Sequence, residues 1–229
     1  MKIKKTIALL MFIGGFQISC FAQSSTHQYW LFWTHSQKLN NHFDILADVQ
    51  SRSEENLQQV NTLLLRTALN YHLNDQHSIA FGYAYKGDWL ENNEYEHEHR
   101  IYQQYQYEFK IKRIELQLRG RFEQRFLHDS STKFALRARA FVAAQFPIYA
   151  NEDFSSGLFA GFQNEIFLNV LNKQNVNNHF FDQNRPYVSL GYRFNKKIES
   201  TLDYGLMADQ AEEKSTFVNV FRIALTTSF

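Results

Sequence analysis

The chain has 229 residues, with 24 Lys and Arg against 23 Asp and Glu and a formal charge of +1. That balance gives no whole-molecule argument for nucleic-acid binding, and none is expected. A single cysteine, Cys20, excludes an intrachain disulfide. Aromatic residues reach 16% although mean hydropathy is low, which suits strands of alternating polarity with aromatic girdles better than a soluble core.

The chain opens with a basic start at Lys2, Lys4 and Lys5 and an apolar stretch from Thr6 to Ile18 that is too short to span a membrane as a helix. Ser19-Cys20-Phe21-Ala22 then presents small residues one and three places before Gln23. This is the secretory pattern, with cleavage expected after Ala22, so that 1–22 is a signal peptide and 23–229 the mature domain. The competing reading is a lipoprotein acylated at Cys20, which Gln17 and Ile18 fit poorly. Three lysines leave with the signal and no acid does, so the formal +1 becomes −2. No later apolar run approaches 18 residues, so no spanning helix is expected.

Eleven strand-like segments follow, near 27–38, 42–52, 60–73, 78–89, 95–109, 113–126, 133–147, 156–169, 181–194, 198–209 and 216–229. The first, HQYWLFWTHSQK, is apolar on both parities at its centre. In the second, Phe43, Ile45 and Val49 oppose Asp44, Asp48, Gln50 and Arg52. In the fourth, Ile79, Phe81, Tyr83 and Tyr85 oppose the small residues Ser78, Ala80, Gly82 and Ala84. The clearest is the sixth, IELQLRGRFEQRF. There Leu116, Leu118, Phe122 and Phe126 share one parity, and Arg119, Arg121, Glu123 and Arg125 share the other. A period of two over such a length means a strand with one apolar and one charged face. It is long for a soluble domain, and a tilted membrane-crossing strand needs about 9–11 residues.

Short connections such as Asn74-Asp75-Gln76 and Asn195-Lys196-Lys197 alternate with longer ones such as 53–59 and 170–180. That is the hairpin asymmetry of an outer-membrane barrel, with short periplasmic turns and longer external loops. The connection near 147–155 is the exception, being longer than its place predicts. Proline is confined to Pro147 and Pro186, and nothing marks a linker, so one all-β domain is expected: an antiparallel transmembrane β-barrel. Single-chain bacterial barrels have even strand numbers. The count is therefore set at ten, with 27–38 as a plug or periplasmic piece, or at twelve with one more strand. A secreted β-sandwich is the soluble alternative, and strands of this length argue against it.

The face opposite the lipid side carries Arg66, Glu98, Arg100, Gln104, Arg119, Arg121, Glu123, Arg125, Arg137, Arg139, Gln163, Glu165, Arg185 and Asp203. The plain reading is a structural polar network filling a small barrel. The sharper one is an anion site or an Arg-lined pore, since Arg outnumbers acid in this set. His97 and His99, two apart on one strand face, are a weak candidate pair of zinc or copper ligands that lacks a third member. No cofactor is expected. An outer-leaflet lipid hydrolase is the enzymatic alternative, but no GxSxG elbow occurs, and Arg neighbours make Glu123 and Glu165 poor general acids. Trp30, Trp33, Tyr83, Trp89 and Tyr105 read more simply as an interface girdle than as stacking platforms.

The ordered motifs Glu98-His99-Arg100-Ile101-Tyr102-Gln103-Gln104, Arg119-Gly120-Arg121-Phe122-Glu123-Gln124-Arg125-Phe126, Arg137-Ala138-Arg139, Asn164-Glu165-Ile166-Phe167-Leu168-Asn169, Gln183-Asn184-Arg185 and Gly191-Tyr192 resemble domain-of-unknown-function family 2490 of Bacteroidetes and Proteobacteria. The resemblance implies a small outer-membrane barrel and no established activity or catalytic residue. Phe229, with alternating apolar residues before it, looks like the C-terminal signal read by the barrel-assembly machinery. The expectation is a monomeric barrel in contact with outer-membrane lipid and lipopolysaccharide, its physiological role unknown.

Overall fold

A computed structural model describes residues 26–54, 59–90, 94–128 and 131–229. The proposed signal segment, 1–22, lies outside the described residues. The described residues form eleven strands: β1 (Thr26–Lys38), β2 (Phe43–Glu54), β3 (Thr62–His72), β4 (His77–Trp89), β5 (Tyr95–Ile111), β6 (Ile114–His128), β7 (Thr132–Ala150), β8 (Gly157–Leu171), β9 (Phe181–Asn195), β10 (Ile198–Gln210) and β11 (Ser215–Ser228). Each pairs with its sequence neighbour in antiparallel register, and β1 pairs with β11 to close a barrel.

The expected counts of ten or twelve strands are therefore corrected to eleven. Residues 27–38 are neither a plug nor a periplasmic piece. They form a full stave, hydrogen-bonded to β2 on one side and parallel to β11 on the other, with Leu31 opposite Ile223. An odd number of up-and-down strands makes the first and last run the same way, so the seam has to be parallel. Phe229 fastens its end, donating from its amide to Ser36 O at 2.9 Å and accepting from Lys38 N at 2.6 Å.

The mixed polarity of β1 also has a physical cause. Trp30 and Phe32 point inward, where Trp30 packs with Tyr187, Met207, Val218 and Val220, while Leu31 and Trp33 are exposed on the outside. Elsewhere alternation sorts the faces cleanly. Phe81 and Leu202 are each 61% exposed, and Leu69, Ile101, Phe122, Val188 and Ile223 are exposed with them, so large apolar side chains girdle the outer surface.

Two of the short turns are set locally by asparagine. Asn74 Oδ1 accepts from the amides of Gln76 and His77, and Asn40 Oδ1 from those of His42 and Phe43. Each side chain thus stands in for a backbone turn acceptor. The long exception at the turn end resolves differently. Strand β7 runs on through Pro147 to Ala150, with a register shift between Pro147 and Tyr149. The following loop then folds Phe154 into the barrel mouth, where it is buried against Phe159 and under Arg193. Arg193 holds it there, donating to Phe154 O at 2.7 Å and to Glu115 and Glu199 at 2.8 and 2.9 Å. At the opposite, loop end the 3-10 turn Lys173–Asn175 leads into buried Asn177, which bonds to Asn169, Asp182 and Gln210.

Candidate functional site: the arginine-lined lumen

The inward faces of the strands enclose a cavity of about 1220 Å³. Its wall extends from Asp75, Gln76 and Lys110 at the turn end to Lys86, Asn177 and Gln210 at the loop end. Small side chains on β4 make room on one side. A Cβ on Gly82 would collide with the ring of Tyr102 and the Thr67 carbonyl oxygen, so glycine lets that ring lie flat across the strand. Arg121 stacks on the same ring, 4.4 Å from its centroid.

Across β5 to β8 the strands bring charges of both signs into one belt. Glu98 accepts from Arg100 Nε at 2.8 Å and from Arg125 Nε at 2.5 Å. Glu123, 1% exposed, accepts from Arg137 at 2.7 Å and Arg139 at 2.6 Å. Arg139 also reaches Glu165 at 2.7 Å, and Arg119 meets the same carboxylate at 3.0 Å. Arg121 donates to Gln104 at 3.0 Å and comes no nearer to Glu123 than 3.9 Å. Outside the belt, Arg66 pairs with Asp48 at 2.8 Å and Asp203 with Arg222 at 2.6 Å. Gln163 lines the cavity. In the belt Glu98 and Glu123 sit behind guanidinium groups, and the cavity wall as a whole carries charges of both signs with an excess of arginine.

The balance of partners is uneven. Among the described residues Arg52 and Arg185 pair with no carboxylate. Arg52 donates to Gln50 at 2.7 Å and stacks on Trp30 at 4.1 Å. Arg185 donates to Gln183 and stacks on Phe167 at 4.5 Å. Buried N–H groups at Arg52 Nε, Arg185 Nε, Arg119 Nε, Arg121 Nη1 and Arg125 Nη1 have no hydrogen-bond acceptor. An unsatisfied buried donor costs about 1–3 kcal/mol, so these groups favour water or an anion in the lumen.

The family model "Protein of unknown function (DUF2490)" matches residues 27–217. The chain belongs to this family. This DUF2490 barrel is also similar to a solved structure described as "NanC porin structure in rhombohedral crystal form", with TM-score 0.54 and 13% identity, over 85% of this chain and 90% of that one. At that identity the likeness is one of fold. A search of curated proteins finds no match.

Sequence reasoning passed over several lumen residues in this DUF2490 chain. Arg52 and Asp48 lie on the charged parity of β2, and Arg222 alternates with Phe221 and Ile223, so the same period of two carried through every strand finds all three. Asp182, which accepts from Arg137 at 2.9 Å, stands at the very start of β9, where too few residues precede it for a parity to be read. His97 and His99 are not part of the lumen. They lie on the outward face with Ile101 and Tyr105, beside His128 of β6.

Proposed function

We propose that this chain is an outer-membrane β-barrel, exported by a cleaved signal peptide, whose lumen admits and transiently holds small anions. One observation carries the reading: a cavity running between the two rims and walled by arginines, two of which have no carboxylate and several of which have idle N–H donors. The exposed apolar girdle favours a lipid surround, since a water-soluble monomer rarely exposes contiguous apolar patches beyond a few hundred Å². The porin-like fold supports the same location. Arginine suits passage better than a closed anion cage, because rings of fixed positive charge both attract anions and repel cations.

The test is reversal potential across a planar bilayer under a salt gradient, with the wild-type chain and with Arg52→Ala and Arg185→Ala. A fixed charge about 10 Å from a permeating ion, at an effective dielectric of ~20, contributes about 1.7 kcal/mol, or about 0.6 kcal/mol after screening at 0.1 M salt. Anions lose this attraction and cations lose an equal repulsion, so each substitution is expected to lower anion-over-cation preference about eightfold. A barrel that inserts but conducts nothing, or that prefers cations, sinks the proposal.

A further inference from the structure

We propose that His97, His99 and His128 form a binding site for a divalent transition-metal cation of the zinc type on the outward face of the barrel, at its loop end. The site is independent of the lumen, from which the strand wall separates it.

Strand pairing builds it. The β5–β6 register sets His97 directly opposite His128, and His99 follows two residues later on the same face. Residues opposite and two apart are the near neighbours of an antiparallel pair. One imidazole nitrogen from each of the three lies within 4.8 Å of the others. The His97 and His128 rings are 4.6 Å apart, and the His99 ring stands nearly perpendicular to both, at 5.4 and 5.3 Å. Metal–nitrogen bonds of about 2.1 Å in a tetrahedron place ligand nitrogens about 3.4 Å apart, so rotation of half-buried side chains closes the site by up to ~1.4 Å.

A hydrogen bond presents one of the rings in the form a metal needs, and a second ring is held by a tyrosine hydroxyl. His128 Nδ1 lies 3.2 Å from the Phe126 carbonyl oxygen, which can only accept. Nδ1 therefore carries the proton, and Nε2 of the neutral ring keeps its lone pair. His99 Nδ1 lies 2.5 Å from the Tyr83 hydroxyl, and in the tautomer that donates from Nδ1 the Nε2 lone pair is open to a metal. A ligating histidine held through its other ring nitrogen is the usual arrangement around protein-bound zinc.

Chemistry narrows the ion. The three donors are imidazoles, and among the described residues no carboxylate pairs with any of them. Zinc, copper and nickel accept such a set, whereas magnesium and calcium require oxygen ligands. Three protein ligands leave the fourth tetrahedral position to water.

The experiment uses the folded chain in detergent, carrying no added histidine tag, and titrates Zn2+ by calorimetry. One equivalent is expected to bind. The affinity is expected to fall about tenfold or more in His99→Asn and in His128→Asn, by less in Tyr83→Phe, and not at all in His77→Asn, at the opposite rim. Heat-dependent gel mobility shows that each variant is folded. Electron paramagnetic resonance of the unmodified chain loaded with Cu2+ counts the coordinated nitrogens without any substitution. Failure of Zn2+ to saturate, unchanged affinity in a folded His99→Asn, or fewer than three imidazole nitrogens on Cu2+ overturns the proposal.

Discussion

Glu123 illustrates how single residues hold this lumen together. Its carboxylate is shared by Arg137 and Arg139, and Arg139 passes the connection on to Glu165 and so to Arg119. Removing one partner of a buried pair leaves an uncompensated charge and costs about 3–5 kcal/mol. Glu123→Gln is therefore expected to lower the urea midpoint of the folded barrel by a corresponding amount. Lys196→Ala, which breaks an exposed pair with Asp153 at the rim, should leave the midpoint where it was. A Glu123→Gln midpoint equal to wild type would show that the belt is dispensable for stability. That Arg119, Arg121, Glu123 and Arg125 share a face is written in the alternation of β6. Which acid each arginine meets is not, because Arg139 bonds to residues on two other strands, and a change of register by one residue would send it outside.

At the scale of elements, β1 decides the architecture. All eleven strand segments are readable from period, length and turn residues, with ends within a few residues of those observed. The number that closes the barrel is not, because no strand contains it. Reasoning from even-stranded precedents discards β1, the segment whose alternation is weakest. That weakness reflects an inward Trp30 and Phe32 filling the lumen beside the seam. The parallel seam is directly testable by paired cysteines. Leu31→Cys with Ile223→Cys should form a disulfide under mild oxidation, since the two face outward in register. Leu31→Cys with Phe221→Cys, one outward position out of register, should form it much less. Equal yields from both pairs, or none from either, would rule out this closure.

For the molecule as a whole, the outward girdle and the inward belt impose opposite rules on neighbouring residues. Leu202 points out and Asp203 points in, one position apart on β10. If the girdle contacts lipid, Leu202→Arg should destabilise the barrel by about 2–4 kcal/mol when measured by urea unfolding in vesicles, the cost of an arginine near a bilayer midplane. The same substitution at a water-facing position would be nearly neutral, so an unchanged midpoint would refute the lipid contact.

What the amino-acid order determined by itself is local and periodic: eleven strand-like segments, all but the first with clearly sorted sides in most of their length, several joined by short asparagine-containing turns. Period and turn chemistry act between residues a few positions apart, so they are legible one segment at a time. Tertiary structure decided the rest. Closure set the odd strand count and the parallel seam, and register chose the ion pairs and left Arg52 and Arg185 without acids. Pairing of β5 with β6 brought His128 to His97 and His99. Each of these depends on which residues distant in sequence become neighbours across strands, and that is settled only when the sheet meets its own edge.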